Sequence, residues 1–326
     1  AVLATFGAAL AQPQPTATPS AAGAPATPAT PASSPLATSP AAPEPAPAPG
    51  FEPDLAFGAY QAGRFVTAMR EALKRVEANP NDAPAMTLLG EIYREGMAVP
   101  RNLQEAARWY RLAAERGDRQ AQFALALAHL GGAGVEKDPK QARAWFEKAA
   151  GRGHAGALYN LGIMTLEGEP PDFARAADFF RKAAELGDVD AAYALAVFLR
   201  EGRGVAADKA RSLDYLKRAA DEKHPAAMVE YAIALFNGDG APKDEAAAVR
   251  YFARAASLNS AVAQNRLARL YVAGRGVKAD LVEGMKWHVL ARANGVKDDW
   301  LEGKMSSLTR NEKAAVDEAV QRFLGQ

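Results

Sequence analysis

The 326-residue chain contains no cysteine and only four histidines. Without cysteine there are no disulfides, no thiolate nucleophile, no Cys-based zinc site and no lipidated N-terminal cysteine. A surplus of charge is also missing, since 39 Lys plus Arg stand against 38 Asp plus Glu with no long run of one sign. No net field is present to recruit nucleic acid or anionic lipid, so nucleic-acid binding is not expected. The apolar opening, Ala1 to Ala11, is too short to span a bilayer, and the rest shows no strand-like alternation.

What is present is a period. Aligned on a glycine at the twelfth position, copies begin near Ala85, Ala121, Ala157, Ala191, Ala227 and Ala263 without an intervening linker. The fullest reads Ala121-x3-Leu-Ala-x5-Gly-x-Gly-Val-x2-Asp138-x3-Ala142-x2-Trp145-x3-Ala149-Ala150-x2-Gly153. One such unit cannot bury its own apolar face, so neighbours must stack into an elongated array. The Ala157 copy is two residues shorter, because Glu169-Pro170-Pro171-Asp172-Phe173 replaces the usual Gly-Val-x-x-Asp turn.

Each copy predicts two helices. Ala121, Leu125 and Ala128 recur at spacings of four and three on one stripe, giving helix A. Gly132 and Gly134 end it, and Asp138-Pro139 reads as an N-cap with proline in the first turn of helix B, which carries Ala142, Trp145, Phe146, Ala149 and Ala150 on its buried side. Alanine pairs such as Ala113-Ala114 and Ala183-Ala184 permit close helix approach. The aromatic residues at Trp109, Trp145, Phe179, Tyr215, Tyr251 and Trp287 are expected to fill the wider part of each layer.

The flanks differ in kind. Residues 1–11 resemble the end of a secretory h-region with Ala9-Leu10-Ala11 as cleavage site, which predicts export, although an initial Met and a basic n-region are absent. Residues 12–50 are Ala, Pro, Thr and Ser with twelve prolines and one charge, Glu44, and are expected to form an extended disordered spacer. Residues 51–84 read as capping helices, with Ala59, Gly63, Ala68 and Pro80 at tetratricopeptide-like positions. Residues 85–295 are the array, and 296–326 a terminal cap whose Thr309-x2-Glu312 predicts a capping box.

These residues closely resemble the Sel1-like repeat family, relatives of the tetratricopeptide repeats, whose pattern is Ala-x3-Leu-Gly-x2-Tyr-x2-Gly-x-Gly-Val-x2-Asp-x3-Ala-x2-Trp-x3-Ala-Ala-x2-Gly. The first copy matches at Leu89-Gly90, Tyr93 and Gly96 but carries Ala98 and Asn102 in place of glycine and aspartate. The last matches at Leu267, Tyr271, Gly274, Gly276-Val277, Asp280 and Trp287, with Gly284 and Arg292 as departures. The resemblance implies an all-α fold, a right-handed α-α superhelix of helix–turn–helix repeats. It also implies an adaptor for protein complexes and no shared catalytic residues.

Apparent catalytic motifs dissolve on inspection. Gly151-Arg-Gly153-His-Ala-Gly156 spells a dinucleotide fingerprint, but joins helix B of one copy to helix A of the next where a strand is required. Lys304-Met-Ser-Ser307 spells a nucleotide-binding loop without the surrounding fold and reads as a solvated turn. His129, His154, His224 and His288 lie far apart and suit capping or surface roles, not a metal cluster. No catalytic, cofactor-binding or metal-binding residue is assigned, and no cofactor is expected.

If helix A lines the concave side, its third, seventh and tenth positions face a groove. These are Phe123, Leu127 and Leu130; Tyr159, Ile163 and Leu166; Tyr193 and Val197; and Val229, Ile233 and Phe236. The end copies supply Thr87, Glu91, Arg94, Asn265 and Arg269 instead. An apolar strip with polar ends suits a partner peptide or helix, unless tight curvature makes these side chains bury one another. The expectation is a non-enzymatic scaffold or adaptor of the bacterial cell envelope or periplasm, binding another protein or peptide. The repeat domain would not insert into the membrane, and the oligomeric state is left open. The alternatives are a periplasmic regulator restraining a membrane sensor, and an envelope hydrolase.

Overall fold

The computed structural model describes residues 54–325, and among them the chain forms sixteen α-helices and no strand. The expected signal segment and the whole of the proline-rich spacer therefore lie outside the described residues. A short pair, α1 (Leu55–Gln61) and α2 (Phe65–Ala78), precedes six hairpins. Their A helices are α3 (Ala83–Glu95), α5 (Arg119–Gly131), α7 (Ala155–Leu166), α9 (Val189–Glu201), α11 (Pro225–Asn237) and α13 (Ala261–Ala273). Their B helices are α4 (Leu103–Glu115), α6 (Pro139–Gly151), α8 (Phe173–Glu185), α10 (Lys209–Asp221), α12 (Glu245–Ser257) and α14 (Leu281–Ala293). Then come α15 (Asp299–Ser306) and α16 (Arg310–Leu324).

Helix ends are set by single residues. Asp138 Oδ1 accepts from the Lys140 and Gln141 amides at 2.9 and 3.1 Å, satisfying donors that the first turn leaves free. Asn102, Asp172, Asp208, Asp244 and Asp280 cap the other B helices in the same way. Five of the six A helices stop at a glycine in the left-handed region, as at Gly132 with φ 75°. The exception is α7, which ends at Glu167 in a right-handed conformation before the Glu169–Asp172 loop.

The second glycine of the turn has a different task, which the sequence pattern did not disclose. A Cβ on Gly134 would overlap the Leu103 carbonyl at the start of α4, one repeat back. Gly204 meets Phe173 of α8, and Gly276 meets Glu245 of α12, with the same result. The turn of each such repeat thus sits directly on the N-terminus of the preceding B helix, and glycine sets the spacing. In the shortened third repeat Pro170 stands where the second glycine would be. Gly168 is the counterpart of Gly132, and a Cβ on either would meet only residues of its own turn.

The two kinds of helix bury different amounts of themselves. B helices bury one stripe, as in α8 with Ala176, Ala177, Phe180, Ala183 and Ala184. By contrast α7 buries every residue from Ala157 to Leu166, and α9 nearly all of its last three turns. A helix buried all round has neighbours on every side. Adjacent A helices also touch each other through side chains, as Tyr193 of α9 does with Glu230 of α11. The B layer has its own links, as Tyr251 of α12 donates to Asp221 of α10. The A layer is therefore the crowded inner one.

One expectation about packing is corrected. Trp109, Trp145, Phe179, Tyr215 and Tyr251 are only half-buried, and the core is filled by the next residue along: Tyr110, Phe146, Phe180, Leu216 and Phe252, each at most 4% exposed. The half-buried rings lie at the edge of the B layer, where most carry a cation: Lys148 lies 3.8 Å from the Trp145 ring centre and Arg254 lies 5.3 Å from that of Tyr251. Only Trp287 of the periodic set is buried. The Lys304–Ser307 stretch is also corrected: Lys304, Met305 and Ser306 form the last turn of α15, and only Ser307 lies beyond it. The Thr309–Glu312 capping box opens α16 as the spacing predicts.

Candidate protein-interaction groove

The third position of helix A in several repeats meets the N-cap of the helix that follows its hairpin. Thr87 donates to Asp118 Oδ1 at 3.0 Å, and Asn265 to Asp298 Oδ2 at 2.9 Å. Where the position is aromatic and the next cap is histidine, the rings stack: Phe123 on His154 at 4.2 Å and Tyr193 on His224 at 4.5 Å between centres. Those histidines use Nδ1 to accept from the Ala157 and Ala227 amides at 3.2 and 3.0 Å, so they replace the aspartate found at other caps. Burial, then the positive Arg119, lower the His154 imidazole below its ordinary value.

The remaining groove positions divide by exposure. Tyr159, Ile163, Leu166, Val197 and Val229 are buried among their neighbours, each below 10% exposed. Phe123, Leu130, Tyr193, Ile233 and Phe236 are half-buried, and Leu127 is 36% exposed. Burial, then the nearby Asp190 and Asp188, raise the Tyr159 phenol, and burial followed by Glu230 raises that of Tyr193. Both phenols are held neutral.

Two adjoining cavities open toward the C-terminal end of the array. A cavity of about 380 Å³ lies between α11 and α13, with Ile233 and Phe236 on one wall, Arg266, Arg269 and Leu270 on the other, and Trp300 of α15 at its side. A second, of about 270 Å³, shares Ile233 and Asn237 with it and is bounded by Arg200, Lys209, Leu213, Leu216 and Glu230. Sequence reasoning placed Ile233 and Phe236 here. It classed Arg269 only as part of a polar end and missed Arg266, Arg275 and Trp300, because α15 lies outside the repeat and nothing in the period says where it docks. The signal available was Asp298-Asp299-Trp300, a cap followed by a lone aromatic.

Charges around the first cavity are arranged in pairs with one exception. Arg269 donates from Nε and Nη2 to the two oxygens of Asp298 at 2.6 and 2.8 Å, and stacks over Trp300 at 5.3 Å. Arg275 pairs with Glu245 and lies 4.3 Å from the Phe236 ring centre. Arg266 is exposed and makes no ion pair among the described residues. Asp298 loses hydration by burial, yet hydrogen bonds from Arg269, Asn265 and the Leu301 amide outweigh that loss and bring its carboxyl down to about 2.

Elsewhere the motif letters carry packing. Gly151 ends α6, Gly153 turns the chain at φ 74°, and Gly156 lies against the Phe123 ring within α7. His288 departs from the expected capping or surface role. It is fully buried in α14, its Nε2 is 3.1 Å from Glu302 Oε1, and neither ring nitrogen makes a hydrogen bond to protein. No helix among the described residues is long and apolar enough to cross a membrane.

Tandem αα-hairpins with an A layer inside, a B layer outside and capped ends define an α-solenoid, a right-handed superhelix of helix–turn–helix repeats. The family model described as Sel1 repeat matches six times, at residues 83–118, 119–154, 155–188, 189–224, 225–260 and 261–296, and the chain belongs to that family. Among solved structures it is similar to a Sel1 repeat protein from Oxalobacter formigenes, at 30% identity over 73% of this chain and 98% of that one, with TM-score 0.65. It is also similar to a protective antigen of uropathogenic Escherichia coli displaying an SLR fold, at 25% identity over 83% of this chain and 67% of the other, with TM-score 0.50. No curated protein matches the sequence at a significant level. Sel1 repeat solenoids are generally non-catalytic scaffolds for protein–protein interaction.

Proposed function

We propose that this chain is an adaptor of the bacterial cell envelope that takes a peptide or helix of a partner protein along its A-helix face. The carrying observation is that Ile233 borders two adjoining cavities, one between α10 and α11 and one between α11 and α13, and that Phe236 joins it on the wall of the second. Apolar walls with charged margins are what a protein ligand requires, since apolar burial drives association and the margin fixes orientation. The buried members of the strip, Ile163 among them, support the wall rather than touch a ligand. The envelope assignment is supported by the apolar Ala1–Ala11 stretch ending in Ala-Leu-Ala and the proline-rich spacer behind it.

The test uses Leu127→Asp and Ile233→Asp, because both side chains reach solvent and a carboxylate there need not be buried. Each variant keeps the helical circular dichroism of the wild type, and Ile233→Asp loses the partner that wild type retains on affinity capture from envelope extract. Loss of helical signal in Ile233→Asp, or unchanged capture, sinks the groove reading. Recovery of the protein in the cytoplasmic fraction after expression of its full precursor sinks the envelope reading.

A further inference from the structure

The two cavities on the A-helix face differ in one respect that selects a ligand. In the smaller one every charge is answered within the wall: Arg200 pairs with Glu230, and Lys209 with Asp239 at 3.0 Å. The larger one is lined by three guanidinium groups, Arg266, Arg269 and Arg275, and by no carboxylate. Asp298 and Glu245 hold Arg269 and Arg275 in place, while Arg266 has no counter-ion among the described residues. Lys304 lies 5.8 Å from the Trp300 ring and Lys243 lies 6.0 Å from that of Phe236, adding positive charge at the rim.

The apolar half of this site is equally uneven. Trp300 is 43% exposed, an unusual state for so large an apolar side chain, and is held by Arg269 stacked over its face. Phe236 and Phe252 complete an aromatic wall. A part-exposed Trp beside Arg is the composition of an interface anchor point. About 380 Å³ takes one large side chain with room for its neighbours, and the adjoining cavity behind Ile233 gives a second pocket. Separate side-chain pockets along a shared wall suit an extended strand, whose residues alternate in direction, better than a continuous helix.

We infer that the groove between α11 and α13 receives an extended acidic segment of a partner protein, with an aromatic or large aliphatic side chain against Trp300 and Phe236 and the adjacent carboxylate on Arg266. This rests on the groove reading above and sharpens it to one end of the array and one ligand chemistry. Because Arg269 is fixed by two bonds to Asp298, the site is organised before the ligand arrives, so less ordering opposes binding.

The test is fluorescence anisotropy with three fluorescein-labelled peptides on a Gly/Ser background, bearing Asp-Glu-Phe, Asn-Gln-Phe or Asp-Glu-Ala, beside a fluorescein-labelled single-stranded oligonucleotide. The Asp-Glu-Phe peptide binds at least about tenfold more tightly than either of the other two, and added salt weakens it. Arg266→Glu and Trp300→Ala each lower that affinity by about tenfold or more with circular dichroism unchanged, whereas Leu127→Asp, at the far end, leaves it as it was. Equal binding of Asp-Glu-Phe and Asn-Gln-Phe overturns the acidic assignment while leaving the groove occupied. Tighter binding of the oligonucleotide overturns the peptide assignment. If no peptide binds yet Ile233→Asp still loses the captured partner, this inference falls and the groove reading stands; if neither occurs, both fall.

Discussion

Arg269 and Asp298 join the last Sel1 repeat to the helix that closes the array, through two parallel bonds from one guanidinium to both oxygens of a carboxylate only 4% exposed. The same carboxylate caps α15 through the Leu301 amide and accepts from Asn265, so four donors converge on one residue. Its carboxyl titrates near 2 when folded, against an ordinary 3.8. A depressed folded value contributes stability that is complete above about pH 4 and is lost as pH falls through about 2. We expect amide exchange in α15 to accelerate through that window, and Asp298→Asn to destabilise the C-terminal end by about 1–3 kcal/mol at neutral pH in urea unfolding.

His154 gives a second, separate pH dependence. Its Nδ1 must carry a lone pair to accept from the Ala157 amide, while Nε2–H faces Gln120 Oε1 at 3.1 Å, which is the neutral form. Burial and Arg119 lower its folded value, so stability is complete above about pH 6.5 and falls as acid charges the unfolded chain first. The loss grows as pH falls from about 6.5 until the folded imidazole takes up its own proton. His154→Asn, which keeps a capping oxygen, removes the slope between pH 7.5 and 5 in denaturant titrations; an unchanged slope would place its source elsewhere.

Gly134 and Gly131 are three residues apart and should respond in opposite senses to alanine. A Cβ on Gly134 collides with the backbone of Leu103 at a positive φ, so Gly134→Ala is expected to cost about 2 kcal/mol or more. At Gly131, the last residue of α5, a Cβ meets nothing within 4 Å, and Gly131→Ala gains up to about 1 kcal/mol from helix propensity. Thermal unfolding of the two variants decides the matter.

Phe180 fills the space that Gly162 leaves open, since a Cβ there would lie 2.5 Å from the ring. Its ring also stands edge-on to Phe198 at 5.5 Å. Phe180→Ala should cost about 3–5 kcal/mol by cavity formation. The matching Phe179→Ala, one residue earlier and half-buried, should cost clearly less; equal losses would contradict the order of the two aromatics in the core.

Much of this fold was legible because its determinants are local. Asp138 followed by proline, the αL glycine at Gly132, the Thr309–Glu312 box and the small residues Ala149, Ala183 and Ala219 each specify a cap or a close approach within a few residues. Reading Trp145 into the core beside Phe146, where only Phe146 is fully buried, has a simple source. Both residues are large and apolar, and periodicity alone does not say which side of a half-buried stripe faces the core. The site was less legible. That Arg269 meets Asp298 and Trp300 depends on where α15 docks, a contact outside the period, and that Ile163 is buried while Ile233 borders a cavity depends on how tightly successive A helices crowd.

An uneven core gives the molecule a mechanical grain. In the second, fourth and sixth repeats a glycine turn rests on the helix start behind it, at Leu103, Phe173 and Glu245, whereas Gly240 of the fifth stands 3.4 Å from the Lys209 carbonyl. The apolar interior is parted inside α3 between Met86 and Leu89, inside α5 between Leu125 and Ala126, and inside α7 between Leu161 and Leu158, and it runs unbroken from Leu158 and Phe180 to the C-terminal end. Under tension along its axis such a spring does not stretch evenly. The divided N-terminal repeats are expected to yield before the continuous core that follows them, so a load on the N-terminal end is taken up there before it reaches the arginine-lined end of the array.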